Sequence, residues 1–133
     1  AVYGVNTGFG LLSDVKIAKN KLAQLQINLL RSHAVGVGEA LSIPEARAAM
    51  LLRTNTLARG NSGASPALLD KLIEIQNAGI VPWIPEQGSV GACGDLAPLA
   101  HMALVLVGEG RCWYNESWRP SAQALKAAGI KAE

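Results

Sequence analysis

GSVGACGDLAPLAH, residues 88–101, is the stretch that decides the fold of this 133-residue chain. Its first part continues a loop, because Val81 to Gly94 contains two prolines and three glycines and cannot be helical throughout. Asp95 is suited to cap a following helix with its side chain. That helix has a wide apolar face before Gly108, formed by Leu99, Met102, Ala103, Leu106 and Val107. The sequence therefore predicts a loop that leads into a central helix.

The small residues of this loop permit unusual backbone chemistry. Gly94 has no side chain, so in a loop held bent its amide nitrogen could reach the carbonyl carbon of Ala92 and close a five-membered ring. Loss of water from the ring and of the β-substituent of Cys93 would leave a methylidene carbon. No standard side chain offers such an electrophile, which suits the removal of an amine from an amino acid. The simpler interpretation is a tight turn with one small buried residue.

Helices are predicted on both sides of this stretch. Ser42, Pro44 and Glu45 have the spacing of a capping box with a proline in the first turn. Leucines three to four residues apart indicate one buried face of the first helix. A short hairpin is expected at 113–118. The predicted helices cover about residues 20–31, 42–59, 65–79, 95–108 and 120–129.

Composition excludes some classes of function. The net charge of +2 comes from scattered residues, so a nucleic-acid partner is not expected. No apolar run approaches the roughly 20 residues needed to cross a bilayer, so we expect no membrane partner and a cytoplasmic protein. Two cysteines, Cys93 and Cys112, do not make a disulfide framework. No metal site is expected, because His33 and His101 lie far apart in sequence.

Residues 88–101 resemble, in nearly every position, the signature of the histidine and aromatic amino-acid ammonia-lyases, and the resemblance covers essentially the whole chain. It implies that Ala92, Cys93 and Gly94 cyclise to 4-methylidene-imidazol-5-one, with no metal or external cofactor. The family's middle residue is ordinarily serine, which leaves as water, whereas Cys93 would leave as hydrogen sulfide. A thiolate is at least as good a leaving group as hydroxide, so the ring could form, or the tripeptide could remain uncyclised.

The same resemblance implies two further sites. Tyr3 opens a glycine-rich loop similar to the family's active-site lid, and the tyrosine would remove the substrate's β-proton. The alternative is an exposed tyrosine near a frayed terminus. Ser32 and His33 resemble the pair that lines the substrate pocket of histidine-specific members, where His33 could bond an imidazole. The alternative for His33 is a residue that bonds the last carbonyls of its helix. His101 is predicted to be structural.

The implied fold is mainly α, with residues 1–133 forming a single helical unit. That unit is expected to be an internal piece of a larger homotetrameric lyase, the N-terminal active-site region of a helical bundle. The implied activity is elimination of ammonia from L-histidine to give trans-urocanate. A phenylalanine or tyrosine lyase and an aminomutase are the alternatives within the family. Outside it, the alternatives are an inactive helical fragment, without the groups that bind the substrate carboxylate, and a thiol enzyme based on Cys93.

Overall fold

The computed structural model describes residues 2–132, which form helices joined by short strands and turns. The helices are α1 (Leu22–His33), α2 (Ile43–Ala58), α3 (Pro66–Asn77), α4 (Leu96–Leu106) and α5 (Ser121–Ala127). The strands are β1 (Val37–Ala40), β2 (Val81–Pro82), β3 (Pro85–Gln87), β4 (Arg111–Tyr114) and β5 (Ser117–Pro120). The mainly α prediction is confirmed, and each predicted helix and the hairpin are present. Within residues 2–132, no helix has the length and apolar character needed to span a membrane.

Local side-chain caps explain where two of these helices begin. The Ser42 hydroxyl accepts a hydrogen bond from the Glu45 amide at 3.4 Å, and the Glu45 carboxylate accepts one from the Ser42 amide at 2.9 Å. This capping box satisfies amides that would otherwise lack partners in the first turn of α2. Ser65 caps α3 in the simpler way, by accepting from the Leu68 amide. Both predicted starts are confirmed.

The start of α4 differs from the prediction. Asp95 occupies the cap position, but its backbone is left-handed, with φ of 55°, and its side chain makes no capping hydrogen bond. Its carboxylate instead accepts a hydrogen bond from the Ser89 hydroxyl. The prediction of a side-chain cap at Asp95 is therefore wrong, because the carboxylate is engaged by the preceding loop.

The core lies between α4, α2, α3 and the small sheet. Six residues of α4 are buried, more than in any other described helix, so the prediction of a central helix is confirmed. Met50, Ile75 and Leu125 complete the packing from α2, α3 and α5. By contrast, α1 has no buried residue, and its leucines are only half-buried. Its predicted buried face is incorrect, because part of that face borders a cavity instead of the core.

Two small antiparallel sheets hold the loops in place. One contains β2, β4 and β5. Its β4–β5 hairpin turns at Asn115 and Glu116, both with positive φ, as the twist of a two-residue turn requires. The other sheet pairs β1 with β3 and was not predicted. This pairing places the segment after α1 beside the loop that leads to Ala92.

Candidate active site

The tripeptide Ala92-Cys93-Gly94 lies in a tight turn. Residues Gly91–Cys93 form one turn of 3-10 helix, and Gly94 follows in the left-handed region with φ of 80°. The Gly94 amide donates to the Gly91 carbonyl at 3.3 Å. That nitrogen is the atom that would attack the Ala92 carbonyl carbon, so ring closure must break this hydrogen bond.

The surroundings of the turn leave space for ring closure. Ala92, Cys93 and Gly94 are exposed, and a Cβ added at Gly94 would meet no atom within 4 Å. Glycine is therefore favoured here by its left-handed backbone and not by crowding. The Ser89–Asp95 hydrogen bond spans the tripeptide and joins the two ends of the loop. Sequence reasoning missed this contact, although both residues flank the tripeptide.

A cavity of about 770 Å³ lies between the N-terminal loop and the helices α1, α2, α3 and α4. Tyr3 and His33 both line it, together with Leu96 at the start of α4. The rings of Tyr3 and Phe9 meet edge to face with centroids 5.7 Å apart, and the residue Tyr3 remains 64% exposed. The structure thus brings two of the predicted site residues to one apolar cavity.

The glycine-rich loop that carries Tyr3 is folded back on itself. A Cβ at Gly8 would lie 2.6 Å from the Leu12 Cβ, so this close approach of two backbone segments requires glycine. Thr7 forms an isolated antiparallel bridge with Lys16, and its side chain is buried. Close backbone contacts therefore hold this glycine-rich loop.

The hydrogen bonds around His33 indicate which of its ring nitrogens carries the hydrogen. The Leu29 carbonyl lies 2.9 Å from Nδ1 of His33, and because a carbonyl can only accept, Nδ1 carries the hydrogen. In the neutral ring Nε2 is then an acceptor. The Ser32 hydroxyl donates to the same carbonyl and lies 3.0 Å from Nδ1. Ser32 does not line the cavity, but it contacts the His33 ring, which does.

The tripeptide Ala92-Cys93-Gly94 does not line the cavity that Tyr3 and His33 share. Ala92 and Cys93 line neither that cavity nor its neighbour, while Gly94 borders a second cavity of about 480 Å³. Arg53, Leu99 and Met102 line both cavities, which are therefore adjacent. Arg53 was not predicted from the sequence, since nothing in its local pattern distinguishes it from a solvent-facing arginine.

His101 has the structural role expected of it. Its Nε2 accepts a hydrogen bond from the Gly36 amide at 3.1 Å, and its ring meets that of Trp83 edge to face at 5.7 Å. Partial burial lowers the pKa of His101, which favours the neutral ring that this acceptor role requires. For residues 2–132, no cluster of three or more histidine, cysteine or acidic side chains could hold a metal ion.

Sequence comparison identifies the family. The family model described as aromatic amino acid lyase matches residues 1–132. The chain belongs to this lyase family. Among curated relatives, the histidine ammonia-lyases of Stigmatella aurantiaca and of Geobacillus kaustophilus (strain HTA426) are each 56% identical to it over 129 residues. Those alignments cover 97% of the chain, which spans about a quarter of each relative's length, 25% and 26%.

Solved structures of other family members have the same fold over this region. The Pantoea agglomerans phenylalanine aminomutase matches with a TM-score of 0.92 at 43% identity, covering 100% of the chain and 25% of the aminomutase. The Trypanosoma cruzi histidine ammonia-lyase matches with a TM-score of 0.89 at 41% identity, again covering 100% of the chain and 25% of the other protein. The lyase fold is thus shared by relatives whose names describe different reactions.

Proposed function

We propose that the full-length protein eliminates ammonia from L-histidine to give trans-urocanate. The observation that carries this proposal is the placement of Tyr3 and His33 on one cavity in a chain of the aromatic amino acid lyase family. The curated relatives named histidine ammonia-lyase support the choice of substrate. We propose that the enzyme works in histidine catabolism.

The hydrogen bonds of His33 favour an imidazole substrate. Because Nδ1 is engaged by the Leu29 carbonyl, Nε2 is left to accept from a donor in the cavity. The N–H of a substrate imidazole is such a donor, whereas a phenyl ring has none. The contact between Ser32 and Nδ1 holds the ring in this orientation. Ser32 therefore acts on the substrate through His33.

Tyr3 is the proposed base. As the phenolate, its oxygen would take the β-proton of a substrate whose side chain is held by His33, since both residues line the cavity. Phe9 packs against the Tyr3 ring and restrains it. Closure of the glycine-rich loop over the cavity would exclude water and reduce the exposure of Tyr3.

Ala92, Cys93 and Gly94 would provide the atoms of the prosthetic group. Closed to a methylidene-imidazolone, these three residues would supply an electrophilic carbon for the substrate's amine. The partial positive charge at the N-terminus of α4, which begins at Leu96, favours electron density in the adjoining loop. Asp95 and Ser89 hold that loop bent.

The full-length protein is proposed to be a cytoplasmic homotetramer, as the family resemblance implies. The 133-residue chain alone is proposed to be inactive, because residues that bind the substrate carboxylate would come from other parts of the protein. Loss of such positioning groups costs several kcal/mol of transition-state stabilisation.

Steady-state assays with L-histidine, L-tyrosine and L-phenylalanine test the proposal on the full-length protein. Urocanate should form from L-histidine, and Tyr3→Phe should lower kcat by about 10²–10⁴-fold, the usual contribution of a general base. Tyr114→Phe is the matched control, since Tyr114 lies in the hairpin away from both cavities and should leave kcat unchanged. Absence of urocanate, or equal effects of both substitutions, would overturn the proposal.

The second candidate is an aminomutase, which the similarity to the Pantoea agglomerans enzyme favours. The two activities differ in product, because an aminomutase returns the amine to the β-carbon. Chromatography of the reaction mixture separates a β-amino acid from urocanate and free ammonia. A β-amino acid as main product would replace the lyase proposal with this one.

A further inference from the structure

Three segments of the chain converge at one tightly packed junction. A Cβ added at Gly36 would lie 3.1 Å from the Pro85 side chain and 3.2 Å from Nε2 of His101. A Cβ added at Gly88 would lie 3.2 Å from the Gly36 Cα and 3.3 Å from the Ala97 side chain. The junction therefore joins the end of α1, the loop before the tripeptide and the helix after it. Larger residues at Gly36 or Gly88 would force these segments apart.

His101 makes the polar contact of this junction. The Gly36 amide donates to Nε2 of His101 at 3.1 Å across 65 residues of sequence. Gly36 lies three residues after His33, and His101 lies five residues after Leu96, so the bond connects the segment beyond His33 to the helix that follows the tripeptide. A Cβ at residue 36 would crowd this approach, because it would lie 3.2 Å from Nε2 of His101.

A second polar contact, between α1 and the segment after α4, is weaker. Arg31 on α1 forms a bidentate ion pair with Glu109, two residues beyond the C-cap of α4, with a shortest distance of 2.5 Å. Both side chains are accessible to solvent, so salt and side-chain entropy reduce what the pair contributes. The hydrogen bond to His101 is part-buried and is donated by a backbone amide. Removing its acceptor costs more free energy than breaking the solvent-accessible ion pair, because the amide is left without a partner.

We propose that His101 is a positioning residue for substrate binding, which holds the segment after α1 so that His33 faces the cavity. The inference rests on the proposed function and adds to it a residue that does not line the cavity. Its role requires an acceptor at the position of Nε2. Glutamine can place its side-chain oxygen near that point, whereas leucine fills the space without an acceptor.

The test compares His101→Leu and His101→Gln in the full-length protein. His101→Leu should raise the KM for L-histidine about tenfold with kcat nearly unchanged, because a displaced His33 weakens binding more than chemistry. His101→Gln should restore KM to within about threefold of the wild-type value. Intact mass should show the same extent of tripeptide cyclisation in all three proteins, since the tripeptide itself is not touched.

Gln76→Leu is the matched control for lost stability. Gln76 donates to the Thr54 hydroxyl at 2.8 Å and to the Leu72 carbonyl at 3.0 Å, away from the junction. This substitution should lower the denaturation midpoint without changing KM. A rise in KM that also appears in Gln76→Leu would reduce His101 to a stabilising residue and overturn the inference.

The remaining outcomes separate the two proposals. A wild-type protein that makes no urocanate would refute the proposed function, and with it the role of His101. An active wild-type protein with an unchanged KM in His101→Leu would refute the inference alone. A loss of cyclisation in His101→Leu would also overturn it, because the residue would then act on the tripeptide.

Discussion

Substitution of Gly94 by alanine separates backbone conformation from crowding as the reason for glycine in the turn at residues 91–94. Gly94 has φ of 80°, and an added Cβ would meet no atom within 4 Å. The cost of Gly94→Ala is therefore that of a left-handed alanine, about 1–2 kcal/mol. No additional steric term is expected.

That energy sets the size of the effect on ring closure. If residue 94 must be left-handed when its nitrogen attacks Ala92, while the uncyclised variant can relax to another conformation, a cost of about 1.4 kcal/mol raises the barrier to ring closure and slows it about tenfold. Cyclisation of Gly94→Ala should thus be about tenfold slower than in the wild-type protein, and not abolished. The rate follows from intact mass measured at intervals after synthesis of the full-length protein.

Gly79→Ala is the matched control, because Gly79 has φ of 73° and equally open surroundings but follows α3. It should lose similar stability and cyclise at the wild-type rate. Equal rates in wild-type and Gly94→Ala would refute the conformational argument. Complete loss of cyclisation in Gly94→Ala would also refute it, because it would show a steric requirement for glycine that the open surroundings do not predict.

Three further predictions concern stability and reactivity. Ser42→Ala should lower the free energy of unfolding by about 1 kcal/mol in chemical denaturation, through loss of the capping box; an unchanged midpoint would contradict this. Burial lowers the pKa of His101 in the folded protein. As pH falls below about 6.5, the ordinary pKa of histidine, this side chain therefore binds a proton more readily in the unfolded chain, and the free energy of unfolding decreases. Between pH 7 and 5, the free energy of unfolding should decrease less in His101→Gln than in the wild-type protein. Equal pH dependence in the two proteins would refute the lowered pKa of His101. Cys112 is fully buried and burial raises the pKa of its thiol, so peptide mapping should find it labelled by a thiol reagent only after unfolding; labelling in the native protein would show that it is accessible.

The parts of the fold that local chemistry determines were predictable from the sequence. Ser42 and Ser65 mark helix starts because their side chains bond amides only three residues away. The hairpin turn at Asn115 and Glu116 is likewise local. The central position of α4 followed from an apolar face wider than those of its neighbours.

The parts that depend on distant residues were not predictable. The pairing of β1 with β3 joins residues about fifty positions apart, and β1 has no clear alternation of apolar and polar residues. The bond between Gly36 and His101 spans a still longer separation. Asp95 was predicted wrongly because its local pattern suggests a cap, and only the folded loop brings Ser89 to its carboxylate.

In the candidate site, too, single residues were predictable and their arrangement was not. The sequence pattern and the family resemblance predicted Tyr3, His33 and the tripeptide individually. Their arrangement required the structure, which places Tyr3 and His33 on one cavity and Gly94 on an adjacent one. The contact of Ser32 with the His33 ring could not be predicted either, since a helix pattern does not reveal side-chain rotamers.

The central claim is that Ala92, Cys93 and Gly94 form the electrophile, and the mass of the peptide that contains them tests it most directly. In the full-length protein, a protease fragment covering residues 88–101 should lack one water and one hydrogen sulfide relative to its encoded sequence. A fragment of unshifted mass, with Cys93 available to a thiol reagent, would contradict the claim.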